Sequence, residues 1–131
     1  MTVLIVEDDP NDVDLLIRGL RQAGFLGKLV TARDAVEAFN YFAGRAPFAD
    51  RSEYPLPDLV LLDLSLPGVS GAEILASMKA DLDLAKIPVF VLTGTPFRAA
   101  VDEAYKLGAK SFLFKPLDVH QISALAGALQ G

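Results

Sequence analysis

The chain contains no cysteine and a single histidine among its 131 residues. Disulfides, thiolate nucleophiles and Cys-based zinc sites are therefore excluded. His120 stands near a helix start with no second ligand close in sequence, so it is read as solvated. No apolar run approaches the roughly 20 residues of a membrane helix. The N-terminal "MTVLIVEDD" has no basic start and meets acids after a few apolar residues, which argues against a signal peptide. Basic charge is also in deficit, with 12 Lys and Arg against 17 Asp and Glu. Binding to a phosphate backbone rests on clustered Lys and Arg, so neither a nucleic acid nor a membrane is an expected partner. A cytoplasmic protein is the expectation.

What remains is a compact apolar chain, 52% hydrophobic and 22% charged. Its length suits one domain, which at this size buries roughly two thirds of its unfolded surface. Two patterns alternate along it. Short apolar runs occur at 3–6, 28–31, 59–62, 89–92 and 111–114. Between them lie segments with helical spacing: Val13, Leu16, Ile17 and Leu20 fall at i, i+3, i+4 and i+7, and Ile122, Leu125, Ala126 and Leu129 repeat that spacing. Asp9–Pro10 and Thr95–Pro96 read as helix starts. Asp34 with Glu37, Ser70 with Glu73, and Asp118 with Gln121 have capping-box spacing. Gly24 and Gly108 stand where helices stop. Unbroken apolar strands are expected where helices cover both faces of a sheet. The pattern thus predicts a doubly wound α/β sandwich on a five-stranded parallel sheet. The segment 44–57 reads as a long, Pro-punctuated surface loop. With the chain closing after a fifth helix, one domain over 1–131 and no output domain are expected.

In open α/β sheets ligands bind at the carboxyl ends of the strands. The first polar residues there are Glu7, Asp8 and Asp9 after the first run, Asp63 after the third, Thr93 after the fourth and Lys115 after the fifth. A lone Asp at a strand end is an ordinary turn residue. A set of carboxylates on one edge is different, because neighbouring like charges force one to take up a proton unless a cation intervenes. Magnesium prefers oxygen ligands and uses one or two carboxylates. Glu7, Asp8 and Asp63 meet that need, with Asp9 read as the cap of the first helix. Lys115 adds a positive point charge and Thr93 a hydroxyl, both suited to a phosphoryl group. An Asp carboxylate is an established nucleophile toward phosphorus. Asp63 is then expected at the sheet edge, open to attack from solvent and held beside a cation.

The segments "VEDDP", "LLDLSLPGVSG", "VLTGT" and "FLFKP" follow these strands in order. Together they make the chain resemble the receiver domain of bacterial two-component response regulators. The resemblance implies a flavodoxin-like sheet with strand order 2-1-3-4-5. It implies Asp63 as phosphoacceptor and a site for Mg2+ (or Mn2+). Asp8 would bind the metal directly, Glu7 directly or through water, and Ser65 through its backbone carbonyl. Thr93 would bond a phosphoryl oxygen, Lys115 would pair with the phosphate, and the Lys115–Pro116 bond would be cis. Thr93 and Phe112 would form a switch acting on the face of the fourth helix, fifth strand and fifth helix. Phe112 is equally readable as a core aromatic. Phe97, Val101 and Tyr105 form an apolar stripe on the fourth helix, either core or a homodimer or partner face. The sequence departs from the usual pattern at Glu7, where Asp is common, and at Gly94, where Ala is usual. The Ser65 side chain would face the mouth of the site, orienting a water or standing inert.

The implied donor is a phosphohistidine on a sensor histidine kinase. The loop 44–57, with Phe48, Tyr54, Pro55 and Pro57, and the string "VEDDPND" resemble single-domain regulators of bacterial phytochrome kinases. The chain would catalyse only its own phosphotransfer and autodephosphorylation. One alternative is a magnesium-dependent phosphatase with an Asp nucleophile, but that class needs a second Asp two residues on, and Ser65 stands there. A nucleotide or flavin module would need a Gly-rich loop after the first strand, where this chain places acids.

Overall fold

The five apolar runs all become strands: β1 (Thr2–Val6), β2 (Lys28–Ala32), β3 (Leu59–Asp63), β4 (Val89–Thr93) and β5 (Ser111–Phe114). The computed structural model describes residues 1–94 and 98–130. Helices α1 (Pro10–Gln22), α2 (Ala35–Ala43), α3 (Gly71–Ala80), α4 (Arg98–Lys106) and α5 (Val119–Gln130) follow the strands in turn. A short 3-10 turn at Leu84–Lys86 precedes β4. All strand pairs are parallel and the order is β2-β1-β3-β4-β5, as the family resemblance implies.

The alternation along β1 explains its unbroken apolar character. Val3 and Ile5 face Leu16 and Leu20 of α1 and Ile122 and Leu125 of α5. Leu4 and Val6 face the opposite layer, with Ala38 and Tyr41 of α2, Ile74 and Met78 of α3 and Ala104 of α4. Every residue of β1 and β3 is buried, because helices cover both sides. Each fully buried Leu or Ile contributes about 1.5–3 kcal/mol.

Helix starts match the sequence signals. Asp9 caps α1, its Oδ1 accepting from Asn11 N at 2.9 Å, with Pro10 first in the helix. Asp34, Ser70 and Asp118 accept from the N–H groups of Glu37, Glu73 and Gln121. The reciprocal half of two boxes goes elsewhere: Glu37 Oε1 accepts from Arg33 N at 2.7 Å, one residue before the cap. Gln121 is treated below. Gly24 and Gly108 follow the ends of α1 and α4 with φ of +94° and +100°, as stops in the left-handed region. The Thr95–Pro96 start and Phe97 of the apolar stripe lie outside the described residues. Of the rest of that stripe, Val101 is half-buried, while Tyr105 is 52% exposed and packs edge-on to Phe112 at 4.5 Å.

The loop 44–57 is better anchored than an ordinary surface loop. Phe48 is buried against Tyr41 and Tyr54, with ring centroids 5.0 and 5.3 Å away. Tyr41 Oη donates to Pro55 O at 2.7 Å. The Arg51 guanidinium donates to Tyr41 O, Tyr54 O and Phe42 O, two of them carbonyls of the last turn of α2. An apolar wedge and a cationic cap at a helix C-terminus thus fix this segment.

Candidate phosphoacceptor site

Register brings the strand-end residues level. Val6 pairs with Leu62, so Glu7 and Asp63 emerge side by side on neighbouring strands. Asp63 pairs with Leu92, which sets Thr93 one residue further along the next strand. Thr93 pairs with Phe114, and Lys115 follows. Carboxylate oxygens of Glu7, Asp8 and Asp63 all lie within 4.8 Å of one another. Lys115 Nζ stands 2.7 Å from Glu7 Oε1, 3.0 Å from Asp12 Oδ2 and 3.3 Å from Asp63 Oδ2. The peptide bond from Lys115 to Pro116 is cis. Thr93 is buried at the end of β4.

Asp63 is held on both oxygens. Ser65 N donates to Oδ1 at 2.9 Å, and Lys115 donates to Oδ2. The helix behind it comes very close. A Cβ on Gly71, the first residue of α3, would lie 2.3 Å from Asp63 O and 2.7 Å from Leu64 Cα. Only glycine lets α3 start this near the strand end. Ser65 itself is exposed beside the site. Asp63 lies deeper than a group open to solvent, at 1% exposure, because the Lys115 ammonium spans it, Glu7 and Asp12. Access to its outer oxygen requires Lys115 to yield.

Asp12 is a site residue that the strand-end reading passed over. It sits in the first turn of α1, just after β1. An acid in the first turn of a helix starting at the functional edge is the signal that marks it.

The charges do not balance. One ammonium serves Glu7, Asp12 and Asp63, with Asp8 alongside. Burial pushes the Glu7 carboxyl up to about 8, and the neighbouring Asp63 carboxylate adds to the rise while Lys115 opposes it. For Lys115, burial favours the neutral amine, but the bonds to Glu7 and Asp12 and the charge of Asp63 outweigh it and hold the ammonium above its usual range. Glu7 Oε2 is buried and finds no hydrogen-bond partner among the described residues. A buried carboxyl with one unpartnered oxygen, grouped with two further carboxylates, fits a hard divalent cation.

A pH dependence follows. Unfolded Glu7 ionises near 4.5 and folded Glu7 near 8, so between these values the folded state binds the extra proton. Folding is favoured at the acid end of that window, and stability falls as pH rises through it. Urea denaturation with a chelator present should show the midpoint dropping between about pH 5 and about pH 8, and Glu7→Gln should flatten the trend.

No helix among the described residues is long and apolar enough to cross a membrane. Residues 3–126 match the model of the response regulator receiver domain. The response regulator Rcp1 of Synechocystis sp. is 30% identical over 128 residues, covering 98% of this chain and 85% of that protein. The probable methanogenesis regulatory protein FilR2 of Methanothrix harundinacea is 34% identical over 120 residues, covering 92% of this chain and 75% of the other. Among solved structures, the phosphorylated cyanobacterial phytochrome response regulator RcpA superposes with a TM-score of 0.83 at 30% identity, covering 98% of this chain and 90% of that one. The Mn2+-bound form of Rcp1 superposes at 0.82 with 29% identity, covering 98% and 91%. The fold, the acidic cluster and these matches agree: the chain belongs to the response regulator receiver domain family.

Proposed function

We propose that this receiver domain is a phosphorylation switch whose acceptor is Asp63. The observation that carries the reading is the meeting of Glu7, Asp63 and Lys115 at the ends of three strands, with the Glu7 Oε2 atom buried and unpartnered among the described residues. In the reaction, an Asp63 carboxylate oxygen forms a bond to phosphorus. The phosphorus–nitrogen bond of a donor phosphohistidine breaks, and the imidazole leaves with its electron pair. Asp8, Asp63, Glu7 and the Ser65 carbonyl would hold a Mg2+ or Mn2+ ion, which would supply charge neutralisation for the incoming phosphoryl group. Lys115 exchanges a carboxylate partner for the phosphoryl oxygens, and the Thr93 hydroxyl donates to another. Ser65 N fixes the second Asp63 oxygen, so only one is presented.

The output is conformational. Thr93 closes on the phosphate and Phe112 turns into the vacated space, altering the α4–β5–α5 face. Phe112 is half-buried, edge-on to Tyr105 and stacked with Phe114 at 6.3 Å. Tyr105 and Phe114 are about half exposed, so this aromatic strip suits contact with a second copy of the chain. A sensor histidine kinase is the donor. A phytochrome-type kinase is favoured by the likeness to the phytochrome response regulator RcpA.

Acetyl phosphate tests the reading. With Mg2+ present, intact mass should show a single phosphoryl adduct, and a chelator should prevent it. Small phosphomonoesters should not be turned over repeatedly; steady release of product would favour the Asp-nucleophile phosphatase instead. Co-purification with a phytochrome-type kinase tests the pathway, and tight binding only to another kinase class would contradict it.

A further inference from the structure

Asp118 and Gln121 have the spacing of a capping box, but only the Asp118 half forms, with Gln121 N donating to Asp118 Oδ1 at 2.8 Å. The Gln121 carboxamide leaves the helix terminus and lies along β5. Its Oε1 accepts from Phe114 N at 2.8 Å, and its Nε2 donates to Phe114 O at 2.9 Å and to Pro116 O at 3.3 Å.

The reason lies in the sheet. β5 is the outermost strand. Lys115 N donates to Thr93 O at 2.8 Å, and in a parallel ladder alternate residues face alternate sides, so Phe114 presents both backbone groups to the free edge. The carboxamide takes both, as a residue of a further strand would. It also reaches past Lys115 to the carbonyl beyond. The main chain is thus gripped on both sides of the residue whose ammonium must stand among three carboxylates. The chemistry calls for an amide. A glutamate accepts but does not donate, and would set a charge against two carbonyl oxygens.

We propose that Gln121 is the positioning residue for Lys115: by clamping Phe114 and Pro116 to α5, it fixes the backbone from which the ammonium reaches the phosphoryl site. The inference rests on the reading of Asp63 as phosphoacceptor. Gln121 makes no bond to Glu7, Asp12 or Asp63 and acts only through Lys115. Without the clamp, the long Lys115 side chain starts from a mobile strand end, and a displacement near 1 Å is enough to slow a positioned reaction.

The test measures the rate of Asp63 labelling by acetyl phosphate with saturating Mg2+ in wild type, Gln121→Ala and Gln121→Glu. Circular dichroism confirms the fold of each, and Gln121→Glu decides the matter if Gln121→Ala does not fold. Both variants should label about tenfold more slowly. Phe114 N–H should exchange with solvent roughly tenfold faster in Gln121→Ala. In a Lys115→Ala background, adding Gln121→Ala should change the rate by less than about twofold, because the two residues act as one unit. Folded variants that label at the wild-type rate overturn the proposal, as does an equal slowing with and without Lys115. A wild-type chain that takes no phosphoryl group removes the acceptor reading itself, and this inference with it.

Discussion

Asp63→Asn is expected to fold, to bind Lys115 less tightly, and to take no phosphoryl group from acetyl phosphate. The effect is absolute rather than graded. Asparagine keeps the shape of the side chain, and its carbonyl oxygen still accepts from Ser65 N, the bond that now spans 2.9 Å to Oδ1. Lys115 keeps Glu7 and Asp12. What disappears is the carboxylate proposed as the nucleophile. Labelling should fall below detection, since the reaction loses its covalent partner. The melting temperature should be equal or higher, because one of the crowded like charges has gone. Intact mass spectrometry reads the first outcome and circular dichroism the second. A full-yield adduct on Asp63→Asn would move the acceptor to another residue.

Gly71→Ala is the second large effect, and it acts on the frame rather than on the chemistry. The added Cβ would meet Asp63 O at 2.3 Å, Leu64 Cα at 2.7 Å and Asp63 C at 3.0 Å. All three are backbone atoms, so no side chain can rotate away. Either α3 lifts from the end of β3 or Asp63 is displaced. Overpacking of this kind costs about 3 kcal/mol, which for a chain of this length lowers the melting temperature by roughly 10 °C. Labelling should slow as well, since the acceptor shifts with its strand. Gly94→Ala supplies the contrast: among the described residues its Cβ would meet only Lys115 Cβ at 3.8 Å, an ordinary contact, so fold and labelling should change little. Thermal denaturation and the acetyl phosphate assay on both variants check the pair.

Much of this site was legible in the chain because it is written at strand ends. Glu7 follows β1, while Asp63 and Thr93 are the last residues of their strands, so an apolar run that stops at a chemically capable residue marks each position. Helix starts were legible for a similar reason: Asp9, Asp34, Ser70 and Asp118 act on N–H groups only two or three residues away. What eluded the sequence depends on distant partners. The strand order came from the family resemblance and not from periodicity. The burial of Asp63 beneath Lys115 joins residues 52 positions apart. Asp12 belongs to the site because α1 packs its first turn toward Lys115, a placement that helical spacing alone does not give. The Gln121 amide looked like half of a capping box, yet the open edge of β5 offers it two backbone groups, and these win. The loop 44–57 carried no periodic signal, and its order comes from Phe48 and Arg51 docking onto α2.

The central claim is that Glu7, Asp8 and Asp63 form a single cation site beside Lys115. Anomalous diffraction from a crystal soaked in Mn2+ reads this directly. The account predicts one dominant peak within bonding distance of the Asp8 and Asp63 carboxylates, with Ser65 O completing its protein ligands. Manganese bound only elsewhere on the surface, with this cluster empty under the same soak, would contradict it.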